Sequence, residues 1–433
     1  MQATTPEDRR KLGQARRKQV GRQDHSALEP KQRPRPALEL LERAAHGRIP
    51  SLVKIKWQLM AESPFGYFRG AVPVMAADLS VLPNTGILTQ ICGDAHVRNV
   101  GAFAAPDGRL VFDINDFDET IRGPFEWDLK RMAASLVIAG REAGHKDASA
   151  RAAAELCVHH YAELIRTLAK MPAIEAARFQ VHRIGQVPPI LEALLKAERS
   201  TPLHTLERLT EPAGDGEMRR FKEEKPLLTR VTGRAAAEVL AGLAPYREVL
   251  EPQRQHLLGF YRPVDVAFKV VGNGSVGLRD YCIHLEGNST GDPLFLQMKE
   301  EPDSAYAPYL PEACSPHHNG QRVIDGQRSM QVQSDPFLGW TRIGGRDFLV
   351  RQLNDHKGSI EIEDLAGKKL AAFAEVCGEL LARSHSRAGD PLTLAGYIGS
   401  GESFAEALAA FGIRYADQAE KDCAELRKWL RAR

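Results

Sequence analysis

The chain has 433 residues, of which 43% are hydrophobic and 26% charged, with a formal net charge of +2. That length supports a large core and two lobes or domains, and the balance is ordinary for a soluble protein. The near-neutral charge excludes a whole-molecule signal for nucleic acid, no apolar run approaches the ~20 residues of a membrane span, and no apolar core follows the N-terminal charges as it would in a secretory signal.

Residues 1–36 hold ten Lys or Arg against four Asp or Glu and almost no aliphatics. They read as a basic, solvated, partly disordered tail. Its RRK runs at 9–11 and 16–18 are the one feature suited to nucleic acid or anionic lipid. From Ala37, the spacing of Leu38, Leu41 and Ala45 predicts an amphipathic helix. In SPFGYFRG, Ser63 to Gly70, the aromatics Phe65, Tyr67 and Phe68 are either a substrate wall or core, and Arg69 either binds phosphate or makes a structural ion pair. Pro83 to Gly86 is a turn, and Ile87 to Ile91 is a strand.

That strand leads into ICGDAHVRNVGAFAAPDGRLVFDINDFDETIRGPFEWD, residues 91–128. Asp94 and Asn99 stand in the order D-x-x-x-x-N. A hairpin turn follows at Pro106-Asp107-Gly108, then an apolar strand (Leu110, Val111, Phe112) and the acidic cluster Asp113, Asp116, Asp118 and Glu119. Chemistry on a nucleoside triphosphate needs such equipment: a carboxylate near the acceptor takes its proton, while an amide oxygen and a second carboxylate hold Mg²⁺ on the phosphates. As a purely structural feature the cluster is a solvated, calcium-tolerant turn, which does not require Asp94 and Asn99 at that spacing.

Two helices follow, one marked by Leu129, Met132, Leu136 and Ala139, the other by Cys157, Tyr161, Leu164 and Leu168. His159 and His160 are surface or packing residues on the second. Residues 172–262 are helical with Pro-rich breaks and carry no recognisable chemistry, and Pro212 to Glu217 is a surface loop. Val266, Phe268 and Val270 then alternate ahead of GNGSVG, Gly272 to Gly277. A G-x-G-x-x-G that opens a helix is a dinucleotide turn. Here LRDYCIHLEG follows with period two, so the glycines lie between strands, as a flap over phosphates or a plain hairpin. Leu294 to Lys299 (LFLQMK) is a strand that ends in lysine. A helix at Gly320 to Gln331, strands at Phe337 to Ile343 and Asp347 to Leu353, and two C-terminal helices complete the chain.

These two regions resemble the protein-kinase-like superfamily, closest to the aminoglycoside and choline phosphotransferases, whose pattern is H-G-D-x-x-x-x-N, a short hairpin, then I-D-[FW]. Cys92-Gly93-Asp94 stands where H-G-D would. The resemblance implies Asp94 as catalytic base, Asn99 and Asp116 as metal ligands, and Trp127-Asp128-Leu129 as the buried pair that props the catalytic loop. The spacing from Asp116 to Asp128 selects Asp116 over Asp113, which stays as a second ligand. Gly272, Gly274, Ser275 and Gly277 resemble the glycine-rich loop, and Lys299 the lysine that neutralises phosphate oxygens. Asp325 is the nearest acidic partner for Lys299. The implied cofactors are ATP with Mg²⁺ or Mn²⁺. The whole chain also resembles the bacterial domain of unknown function 2252 family, through SPFGYFRG, GDAHVRNVG, FDINDFDE, GPFEWDLKR, GNGSVGLR and LFLQMKE.

The order of motifs is inverted, and Cys92 replaces the bracing histidine. The expected fold is therefore α+β, two-lobed and kinase-like in circularly permuted order. Residues 37–261 would form a mostly helical catalytic lobe, 262–355 a β-rich nucleotide lobe, and 356–433 helices that complete the first lobe. Gly272–Gly277 and Asp94–Asp116 should face one cleft, with Lys299 pointing towards Asp116 across a gap of nucleotide size. The expected function is an ATP- and Mg-dependent phosphotransferase acting on a small hydroxyl-bearing molecule or a protein. The alternatives are nucleotidyl transfer (AMPylation) with ATP reversed in the same cleft, a nucleotide-binding pseudokinase, and a metal-dependent hydrolase on Asp94, His96, Asp113, Asp116 and Asp118. The partners are then a nucleotide and an acceptor that the sequence does not specify, and no oligomeric state is assigned. Six scattered cysteines without a C-x-x-C pair favour reduced thiols and a cytoplasmic location over disulfides or zinc.

Overall fold

Every residue from Glu126 to Gly140 is buried in the computed structural model, which describes residues 5–432 apart from 182–183, 215–217, 271, 273, 314–316 and 354–355. This helix, α4 (Glu126–Glu142), is buried nearly all round: its second half, MAASLVIAG, is almost wholly apolar or small, and its first turns bury Glu126, Asp128, Lys130 and Arg131. It is the axis of the larger lobe, with α1 (Pro6–Arg16), α2 (Pro50–Glu62), α3 (Pro64–Gly70), α5 (Asp147–Leu168) and, from the far end of the chain, α7 (Lys369–Ala388), α8 (Pro391–Ile398) and α9 (Glu402–Arg431). Leu129, Leu136, Val137 and Ile138 are fully buried, each stabilising the fold by about 1.5–3 kcal/mol relative to exposure. Small residues set the helix spacing. A Cβ on Gly378 of α7 would lie 2.0 Å from the Cys157 carbonyl of α5.

The loops of interest hang on short antiparallel pairs in this lobe. Strand β1 (Leu88–Ile91) pairs with β4 (Ile121–Pro124), and β2 (Val100–Ala104) lies between β3 (Leu110–Ile114) and β13 (Gly358–Ser359). A second ribbon joins β5 (Thr210–Pro212) to β6 (Arg219–Phe221). The smaller lobe is a six-stranded antiparallel sheet in the order β11 (Gly339–Ile343), β12 (Arg346–Gln352), β10 (Pro293–Glu300), β9 (Asp280–Glu286), β8 (Arg262–Lys269), β7 (Leu228–Val231). Both faces of β10 are buried. Leu294, Leu296 and Met298 enter the core against Val239, Tyr246 and Leu250, so by the alternation of a strand Phe295, Gln297 and Lys299 face the other way. Helix α6 (Asn319–Met330) packs against β11 and β12.

The fold is mixed α+β, and most predicted elements lie where the sequence puts them. Two boundaries do not. Residues 202–261 belong with the sheet lobe rather than the helical one, because Leu206, Leu209, Phe221, Leu228, Val239 and Leu258 fill its cores. The prolines in that stretch are helix starts: Pro188, Pro202 and Pro252 each begin a helix, where a missing N–H leaves nothing unsatisfied. The chain enters this lobe at Ser200 and leaves it beside the same point, with His356 N donating to Ser200 O at 2.8 Å.

The N-terminal segment is also corrected, from a solvated tail to a docked arm. Thr5 caps α1 in a capping box with Asp8. Helix α1 lies on α8, so closely that a Cβ on Gly13 would lie 2.0 Å from Thr393 O. Arg33 bridges the buried Asp78 and Asp422 at 2.7 and 2.8 Å, and buried His25 bonds Tyr397 Oη at 2.7 Å. The arm's cations thus meet buried carboxylates and carbonyls, which the local pattern of charges does not reveal. Among the described cysteines, Cys92, Cys157, Cys282, Cys377 and Cys423 are free and buried; Cys314 lies outside the described residues, as do Asn273 and part of the 212–217 loop. No described helix is long and apolar enough to cross a membrane.

Candidate active site

Three loops from distant parts of the chain meet between the lobes. The first, Cys92–Asn99, joins β1 to β2 and carries Asp94. Gly93 opens it at φ +79°, and a Cβ there would meet Glu119 O at 2.3 Å, so the turn needs glycine. Asp128, in the first turn of α4, accepts the N–H groups of Cys92 (2.8 Å) and Gly93 (2.9 Å). The expected prop is therefore present as geometry. Behind it, His385 of α7 lies 3.2 Å from Asp128 and bonds Tyr161 Oη at 2.9 Å. A histidine does brace this loop, although it comes from another element and not from position 92.

Asp94 Oδ1 takes two bonds from Arg131, at 2.6 and 2.5 Å. Arg131 is fully buried, lies 4.3 Å from the Phe68 ring centre and donates to Phe68 O. Burial raises the pKa of Asp94, and Arg131 opposes that shift. Asn99 Nδ2 donates to Asp94 O at 2.9 Å, while its backbone carbonyl takes the N–H of Asn115, tying the first loop to the second. Buried His96 accepts from Arg98 N at 3.1 Å and stands 3.7 Å from Asp94. Burial, then Arg69 and Arg131, push its pKa well down; its ring packs edge-on against Phe65 and lines the same cavity as Asp94.

The second loop, between β3 and β4, carries Asp116 and Asp118. Burial and the neighbouring Asp118 push Asp116 up to about 6. Asp118 pairs with Lys299 across the lobes. Burial works against its charge, but Lys299 and then Arg351 outweigh that and hold its pKa low. Asp118 Oδ1 and Glu301 Oε1 are buried without a hydrogen-bond partner among the described residues. Glu301 is 3% exposed, and burial, then Asp118, raise its pKa well up.

The third loop is the glycine turn between β8 and β9. No helix follows it; Asp280–Glu286 is a strand, as the alternation requires. Gly272 and Gly277 have φ of +65° and +93°. The turn is fastened to the larger lobe: Lys56 Nζ donates to Gly274 O (2.9 Å), Arg48 to Val276 O (2.7 Å) and Ile49 N to Gly277 O (2.8 Å). Ser275 Oγ lies 3.4 Å from Asp118 Oδ2.

Asp94, Asn99, Asp116, Gly272, Gly274 and Ser275 line one cavity of about 90 Å³, together with Arg69, Asp118 and Glu301. A second cavity of about 250 Å³ shares Arg69, Asn99 and Asp116 and continues to Arg98, Arg351 and Lys357. Three expectations are corrected here. Asp113 is not free to bind a metal: Arg383 grips it with two bonds of 2.8 and 2.5 Å in a buried pair. Asp325 is exposed on α6 and does not meet Lys299, whose partner is Asp118. Lys299 therefore closes onto the acidic loop instead of facing Asp116 across an open gap. Phe65, Tyr67 and Phe68 are core, whereas Arg69 faces the cavities.

Sequence reasoning missed Arg131, Glu301 and His385. The first had a signal: Arg131 is three residues beyond Asp128, on the same helical face. Glu301 follows Lys299 by two residues. His385 had none, since 257 residues separate it from Asp128. Among the described residues no three His, Cys, Asp or Glu side chains form a metal cage. A search of curated proteins and one of solved structures return no match. A family profile, by contrast, covers residues 48–429, and the chain belongs to that family, described as an uncharacterized protein conserved in bacteria (DUF2252).

Proposed function

We propose that this chain is an ATP- and Mg²⁺-dependent phosphotransferase-type enzyme with kinase-like parts in permuted order, passing a phosphorus group of ATP to a hydroxyl on a small molecule or a protein. One observation carries the reading. Asp94, Asp116 and the glycine turn, drawn from both lobes, line a single cleft, and Lys299 is paired with Asp118 in its wall. A hydrolase would need neither the turn nor Lys299.

The donors suit Mg²⁺ with phosphates rather than a closed metal cage. Mg²⁺ takes one or two carboxylates and completes its shell with water and phosphate oxygens. Asp116 and the Asn99 amide oxygen would hold it, and the unpartnered oxygens of Asp118 and Glu301 lie nearby. Bound there, the ion neutralises phosphate charge. The protein's own residues do the rest. Asp94, fixed by Arg131, accepts the acceptor's proton. Lys299 exchanges Asp118 for a phosphate oxygen, and the glycine turn excludes water from above. Calorimetry with ATP and Mg²⁺ tests the reading: Lys299→Ala should weaken ATP binding at least about tenfold, since bonds to charged groups contribute about 1.5–3 kcal/mol. Equal affinities in the two proteins would remove Lys299 from the site.

A further inference from the structure

The two ends of the cleft carry opposite charge. The end under the glycine turn holds Asp94, Asp118, Glu119 and Glu301, and apart from Arg69, which stands between the two cavities, the cations around it are engaged: Arg131 by Asp94, Lys299 by Asp118, Arg48 and Lys56 by carbonyls of the turn. The larger cavity, beyond Asp116, is basic. Among the described residues Arg69 makes no ion pair and its buried Nε has no hydrogen-bond partner. Arg351 Nε donates to the neutral Gln297 at 2.8 Å. Lys357 has no hydrogen-bond or ion-pair partner among the described residues, and Arg98 adds a fourth cation shared with Glu361. The carboxylates on this side are Asp116 and Asp335, and Asp335 is occupied by the N–H groups of Phe337 and Gln352. Burial and then Arg351 push Lys357 down to about 7, against the opposing pull of Asp335 and Asp116.

A nucleoside triphosphate concentrates its negative charge at the end of its tail. We infer that ATP lies with its β- and γ-phosphates in the basic cavity between Arg69, Arg351 and Lys357, which brings the α-phosphorus to the Asp116–Asp94 side, so that the group transferred is the nucleotidyl group. This rests on the proposal that the cleft binds ATP, and it selects which phosphorus reacts. In the step, the acceptor hydroxyl oxygen forms a bond to the α-phosphorus as its proton passes to Asp94. The bond from the α-phosphorus to the bridging oxygen breaks, and pyrophosphate leaves with the electron pair into the basic cavity. The products are an adenylylated acceptor, pyrophosphate and a proton.

The test has a binding arm and a labelling arm, both on the full chain. In the first, calorimetry with Mg²⁺ compares ATP, AMP and inorganic pyrophosphate on wild type, Arg351→Gln and Lys357→Met, with a thermal melt as the check on folding. The expected result is that pyrophosphate binds alone and competes with ATP. Each variant should lose ATP and pyrophosphate affinity by about ten- to a hundredfold and keep its affinity for AMP. In the second arm, ATP labelled at the α- or the γ-phosphate is incubated with the protein and a bacterial lysate. The α-label should enter an acceptor and the γ-label should leave as pyrophosphate. Variants that bind ATP as wild type does, or γ-label in the acceptor with ADP released, overturn this orientation while leaving ATP-dependent transfer standing. Absence of ATP binding by wild type overturns both.

Discussion

Asp94 and Asp116 are half-buried carboxylates on neighbouring loops, yet their partners differ. Asp94 is held by an arginine, whereas Asp116 faces a second carboxylate. The division of labour follows. Asp116→Asn should abolish Mg²⁺-dependent ATP binding, because a neutral amide cannot offset the ion's charge. Asp94→Asn should leave ATP and Mg²⁺ bound and lower turnover by about 10²–10⁴. Metal-dependent binding and ATP consumption, measured in parallel, check this; loss of binding in Asp94→Asn with retention in Asp116→Asn would reverse the roles. Lys357 gives a prediction in pH. Its pKa is depressed from 10.5 to about 7 in the folded chain, so between these values the unfolded state binds more protons and stability rises with pH. The penalty is complete below about pH 7 and gone above about 10.5. Lys357→Met should therefore melt higher than wild type at pH 7, by about 2 °C or more, and equal it above pH 10.5. An unchanged difference across that range would place the lysine in water. At this scale the residues of the D-x-x-x-x-N loop were readable because their spacing is local. The partners of Asp113, Asp118 and Asp128 were not, since Arg383, Lys299 and His385 lie 270, 181 and 257 residues away.

Between elements, the pair of Asp113 on β3 with Arg383 on α7 joins the loop-bearing strands to the C-terminal helices. Both side chains are buried, so removing one strands the other's charge. Arg383→Met should destabilise the protein by about 3–5 kcal/mol, and the double variant with Asp113→Asn should recover much of the loss. Urea unfolding reads this directly. If Arg383→Met instead altered Mg²⁺ affinity without altering stability, Asp113 would return to the metal. The same logic explains which elements the sequence revealed. Alternation after the glycine turn and the apolar run Leu294 to Lys299 identified the strands Asp280–Glu286 and Pro293–Glu300, and with the first the non-helical setting of the turn. Strand β7 was missed because LTRV is four residues long and earns its place by pairing with β8 in the sheet, not by pattern.

In the whole molecule, the N-terminal arm is a structural member. Deleting residues 1–36 would leave Asp78 and Asp422 without Arg33 and uncover the face of α8. The truncated chain should lose about 3 kcal/mol or more in urea unfolding. A truncation as stable as the full chain would return the arm to the status of a tail. Charge composition misled because ten basic residues look alike whether they face water or a buried carboxylate. The neighbouring positions of Ser200 and His356 carry a last consequence, for the order of events during synthesis. The sheet lobe is one continuous length of chain between two touching points, so it can be finished while the ribosome is still working. The helical core cannot. Helix α5 covers one side of α4 as soon as it is made, but the other side waits for α9, which follows the sheet lobe in the chain. A nascent chain of this protein thus carries a completed sheet lobe while one side of its most deeply buried helix waits, uncovered, for α9, and it is in that interval that aggregation competes with folding.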